Sequence, residues 1–163
     1  MASTSPNLSE LAPIDDLHGD SIEDTEFLRK MAEQARQFLC TQRWCGEILQ
    51  GWFGFGVGAL LGVFLFRIRP TEPGVDDLLW VVVGDVPPAY LVTDDAGTPR
   101  EALRAYVDEM SRWVDAVRSG EGLDRVIPVN APPTTANADS LARRLDFIRR
   151  ELLHEDRESP NRG

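Results

Sequence analysis

Apolar residues follow two rhythms along this chain, a helical one towards both ends and a shorter, strand-like one in the middle. Phe27, Leu28, Met31, Ala35, Phe38 and Leu39 recur at three- and four-residue intervals, the spacing that gathers side chains on one face of a helix. Asp24 or Thr25 stands where a capping oxygen would start it, so a helix is expected over residues 26–42.

Between residues 47 and 93 the apolar runs shorten, become rich in Val, Phe, Trp and Leu, and are separated by turn residues. That pattern predicts strands at 48–54, 60–69, 78–84 and 89–93. Gly56-Val57-Gly58, residues 70–77 and Asp85-Val86-Pro87-Pro88 supply the breaks. Each connection is too short for a parallel crossover, so successive strands are expected to pair antiparallel as a meander. In the second strand Leu60, Gly62, Phe64, Phe66 and Ile68 share one face, and Leu61, Val63, Leu65, Arg67 and Arg69 the other. The second face turns polar only at its end, which implies cover on both sides of the sheet.

Thr98-Pro99-Arg100-Glu101 combines a capping hydroxyl, proline at the first helical position and glutamate three residues after the cap, so a helix starts there. Its core stripe is Leu103, Tyr106, Val107, Met110, Trp113, Val114 and Val117, and Gly120 offers a left-handed stop. An extended connector over 123–133 follows, with Val126, Ile127 and Val129 packed. The last helix, over 136–155, carries Ala138, Leu141, Leu145, Ile148 and Leu152 on one stripe and Arg143, Arg144, Arg149 and Arg150 outside it. The expected fold is α+β, a four-stranded antiparallel meander sheet packed with about three flanking helices. Residues 1–23 form an acidic flexible arm, 24–155 a single domain, and 156–163 a disordered tail.

With 163 residues the chain suits one hydrophobic core. Its net charge of −10 disfavours phosphate backbones and anionic lipid as partners and favours a basic one. Seven acids and no Lys or Arg lie between Met1 and Glu26. Nearly all the cations are arginine, Lys30 being the only lysine, a habit of GC-rich bacterial genomes. Cys40 and Cys45 are too few for a disulfide scaffold, so a cytoplasmic chain with reduced thiols is expected. No secretory leader is visible in residues 1–20. The apolar stretch at 52–66 counts fifteen apolar or glycine residues, short of the roughly 18–20 that a spanning helix needs. Its glycines weaken a helix further.

Catalytic chemistry is poorly supplied. His18 and His154 are the only histidines and neither falls in the expected core. Two cysteines without a partnering histidine pair make no zinc set, and the glycines at 54–58 precede a strand and lack the phosphate-loop lysine. No cofactor or metal is expected. The candidate binding residues are Asp76, Asp77, Asp94 and Asp95, which a meander brings to one end of the sheet, together with Asp85 and Tyr90 on the stiff Gly84-Asp85-Val86-Pro87-Pro88 turn, and Trp52. Clustered carboxylates hold hard cations or cationic partners, whereas aspartates at strand ends are also ordinary turn residues.

In residues 60–68 (LLGVFLFRI), 78–94 (LLWVVVGDVPPAYLVTD), the TPREAL helix start and 127–134 (IPVNAPPT), the chain resembles a group of uncharacterised small bacterial proteins. The resemblance covers roughly residues 44–153. It implies bacterial origin and a compact single-domain form, and it brings no catalytic residues. The expected function is therefore a non-enzymatic, soluble protein-binding module, of accessory or immunity type, with a basic protein partner and no role for nucleic acid or membrane. Two alternatives stand beside it: a small-ligand binder or enzyme with a pocket near the Asp85, Asp94 and Asp95 strand ends, and membrane association through residues 52–66.

Overall fold

Ser21 opens the first helix. Its Oγ accepts a hydrogen bond from Asp24 N–H at 3.1 Å, and from that cap α1 runs Ile22–Cys40. The computed structural model describes residues 6–57, 60–94, 96–129 and 131–153. The helix begins four residues ahead of the expected start because Ser21 supplies the cap, and Glu23 and Asp24 in the first turn favour the positive end of the helix dipole. Thr25, one of the two expected caps, instead donates its hydroxyl to Ser21 O at 2.9 Å and accepts from Gly19 N–H at 2.8 Å.

The sheet has five strands where four were expected: β1 Ala12–Pro13, β2 Cys45–Val57, β3 Leu61–Pro70, β4 Leu78–Gly84 and β5 Ala89–Val92. They lie in chain order and every pairing is antiparallel. The added strand comes from the acidic segment expected to be a solvated arm. It pairs Ala12 with Phe53 and Pro13 with Trp52. Two residues cannot display an alternating pattern, and proline, having no N–H to donate, is tolerated only at such an edge.

Residues 52–57 and 61–66 lie in β2 and β3 rather than in a helix. Among the described residues no helix is long and apolar enough to cross a membrane. Strand β2 extends through Gly56 and Val57, where the break was expected to begin, and Leu60 N–H closes the turn on Val57 O at 2.9 Å. Register shifts at Cys45/Glu47, Ile48/Gln50 and Phe53/Phe55 mark bulges that bend the long strand.

Up to Leu103 the chain forms one compact unit, and from Arg104 a second. In the first, Phe64, Phe66, Ile68, Leu79, Val81 and Val83 on one sheet face share a core with Met31, Ala32, Ala35 and Leu39 of α1, and with Leu17. Each large side chain so enclosed contributes about 1.5–3 kcal/mol of transfer free energy. The opposite face is buried as well: the register aligns Trp52, Leu65, Trp80 and Leu91 across four strands. Trp80 Nε1–H donates to Ala96 O at 2.8 Å, which satisfies the one polar atom of that buried indole.

Helix α2, Pro99–Ser119, crosses the division between the units. Its start is as expected, with Glu101 N–H bonded to Thr98 Oγ1 at 3.1 Å and Gly97 N–H bonded to Glu101 Oε1 at 2.8 Å. In the second unit α3, Thr135–Ile148, continues as a π turn over Arg149–Leu153. Arg118 pairs with Asp139 at 2.7 Å and Arg149 Nη2 donates to Ser111 Oγ at 2.5 Å. These two bonds require the helices to run antiparallel.

Candidate functional site

Gly84 ends β4 with φ +133°, a conformation that side chains with a Cβ rarely adopt. The chain there passes so close to the β2–β3 turn that Asp85 N–H donates to Leu60 O at 2.7 Å. Val86 is buried and Pro87 and Pro88 stiffen the remainder, so residues 84–88 form a fixed shoulder beside α1. Helix and shoulder bound an open groove.

Its wider part, about 630 Å³, is lined by Phe27, Lys30, Met31, Gln34, Leu60 and Asp85. The narrower part, about 310 Å³, is lined by Gln34, Gln37, Phe38, Thr41, Val86 and Pro88. Gln34 and Gly84 belong to both, which joins them into one trough along the helix. On the α1 side the wall is Phe27, Lys30, Gln34, Gln37 and Thr41, a run spaced three, four, three and four residues apart that follows one flank of the helix. Phe27, assigned to the core stripe by its spacing, is 42% exposed there. At the narrow end Phe38 lies 6.3 Å from the Tyr90 ring, and Trp44 meets that ring edge-on at 4.8 Å.

The candidate residues read from sequence separate into distinct places. Asp85 and Tyr90 lie at and behind the shoulder. Asp76 and Asp77 precede β4 and Asp94 follows β5, at the opposite end of these strands. The seven residues of β4 separate the two ends by roughly 20 Å, so Asp85 and Asp94 do not share one pocket. Asp77 pairs with Arg67 at 3.4 Å. Among the described residues no group of three or more His, Cys, Asp or Glu side chains is arranged to hold a metal ion. Trp52 is 4% exposed and belongs to the buried second face. Asp95, His154 and the tail expected at 156–163 lie outside the described residues.

Sequence reading missed the helix wall of the groove, since Lys30, Gln34, Gln37 and Thr41 look like any solvated flank. The available signal was Phe27, which sits one position off the Leu28, Met31, Ala35 and Leu39 stripe. A second hollow of about 470 Å³, in the second unit, has a mixed lining of Arg112, Asp115, Glu121, Asp124 and Arg125. It gathers no convergent set of one charge.

Fold and groove together define an α+β protein with an antiparallel sheet and a trough between its first helix and a rigid turn. No family model, no curated protein and no solved structure matches the chain.

Proposed function

We propose that the protein is a non-enzymatic binding module that holds a basic, partly apolar segment of a protein partner in the groove between α1 and residues 84–88. The observation that carries this reading is the placement of charge. The unit containing the groove has sixteen acids against seven bases, a net of −9, whereas the second unit has eleven against ten, a net of −1. A field of that sign attracts and orients a cationic partner before contact. Phe27, Phe38, Leu60 and Pro88 then offer apolar surface, with Lys30 and Asp85 as the charged side chains of the lining.

A labelled peptide that alternates arginine with leucine tests the proposal by fluorescence anisotropy, beside an acidic peptide of the same apolar pattern. Gln34→Arg sets a cation in the middle of the trough without loss of helix propensity, and Gln50→Arg adds the same charge at an exposed position of β2. We expect the basic peptide alone to bind, and Gln34→Arg to weaken it about tenfold while Gln50→Arg has under a threefold effect. Equal binding of the acidic peptide, or equal loss in both variants, rules the groove out.

A further inference from the structure

Two free thiols stand at the feet of one short loop. Cys40 is the last residue of α1 and exposed, Cys45 is the first residue of β2 and half-buried, and Thr41, Gln42, Arg43 and Trp44 lie between them. The loop is pinned along its length: Thr41 N–H bonds to Phe38 O at 3.2 Å, Gln42 N–H to Leu39 O at 3.0 Å, and Cys45 N–H to Gln42 O at 3.1 Å. Thr71 N–H adds a bond to Trp44 O at 3.0 Å, which ties the loop to the end of the neighbouring strand. These bonds turn the chain back on itself, and the two cysteines are its ends.

From this arrangement we propose that Cys40 and Cys45 are an oxidative modification site, closing to an intramolecular disulfide in exchange with a low-molecular-weight disulfide. Burial, with the neighbouring Cys40 charge adding to it, pushes the Cys45 thiol above its usual range, so Cys45 is the protonated partner of the pair. The exposed Cys40 thiolate attacks one sulfur of the small disulfide, forming a mixed disulfide and expelling one small thiolate. Cys45 gives its proton to solvent and attacks the Cys40 sulfur, and the second small thiol leaves. Two protein thiols are oxidised and one small disulfide is reduced to two thiols. The bridge would fix the loop carrying Trp44, whose ring packs on Tyr90.

The proposal does not depend on the groove's having a partner. Full-length protein is incubated with glutathione disulfide at mildly alkaline pH, quenched with an alkylating reagent, and read by intact mass and non-reducing peptide mapping. We expect a product lighter by two hydrogens, with no adduct, and one crosslinked peptide containing Cys40 and Cys45; Cys45→Ser should keep one glutathione on Cys40. Retention of glutathione by the unaltered chain with Cys45 still alkylated overturns the proposal. A disulfide-linked dimer, or a chain left fully alkylatable, overturns it equally.

Discussion

At Gly84 the backbone leaves no alternative residue. A Cβ added there would stand against Leu60 O and 2.5 Å from Leu61 Cα, on a backbone with φ +133°. Gly74 also has a positive φ, +86°, but nothing within 4 Å of its would-be Cβ. Gly74→Ala therefore bears only the conformational penalty, about 1 kcal/mol, whereas Gly84→Ala adds a backbone clash for about 3 kcal/mol in all. Urea unfolding of the two variants measures the difference, and similar losses would show that the shoulder yields. Tyr106 offers a second residue-scale test, because full burial raises its phenol pKa far above the usual value. The folded state keeps the proton that the unfolded chain releases near pH 10, so the associated stability is complete below that pH and is lost as pH rises beyond it. Between pH ~10 and ~12 the unaltered chain should lose up to about 1.4 kcal/mol per pH unit more than Tyr106→Phe. Denaturant midpoints across that window give the comparison, and parallel curves for the two proteins would contradict the burial argument.

Caps set the helix starts. Thr98 Oγ1 accepts from Glu101 N–H at 3.1 Å and Thr134 Oγ1 from Asn137 N–H at 3.2 Å. Thr98→Ala should cost about 1 kcal/mol of unfolding free energy, with Thr98→Ser near neutral; chemical denaturation distinguishes this from a site where the methyl group matters. The same local chemistry explains what could be read from the chain. The four longer strands, with β4 at residues 78–84 as expected, followed from short apolar runs with turn residues between them. The start of α2 followed from its cap, and its end from Gly120, whose φ is +76°. Strand β1 stayed hidden because a pair of residues has no periodicity. The groove stayed hidden for a different reason: it depends on Gly84 and Leu60 meeting across a hairpin, a contact between residues distant in sequence. Only Asp85 and Tyr90, picked for their stiff proline turn, lie at or behind it, while the aspartates beyond Asp85 stand at the far end of the strands.

For the whole molecule, the uneven charge counts for more than its total. Like charges concentrated within one unit repel one another over about a Debye length, ~10 Å at 0.1 M salt and ~30 Å at 0.01 M. The first unit, at −9, should respond to salt and to cations much more than the second, at −1. A short oligolysine titrated at low ionic strength should move amide NMR signals chiefly before residue 104, and those shifts should fall by about tenfold at a given peptide concentration between ~20 and ~300 mM salt. Adding leucines to the peptide should make the shifts at Phe27, Gln34 and Val86 outlast those at Asp76 and Asp94 as salt rises. Screening removes the charge contribution everywhere, whereas in the groove Phe27, Phe38, Leu60 and Pro88 add apolar surface that retains the ligand. Shifts spread evenly over both units, or disappearing together with salt, would reduce the first unit to an acidic surface without a seat.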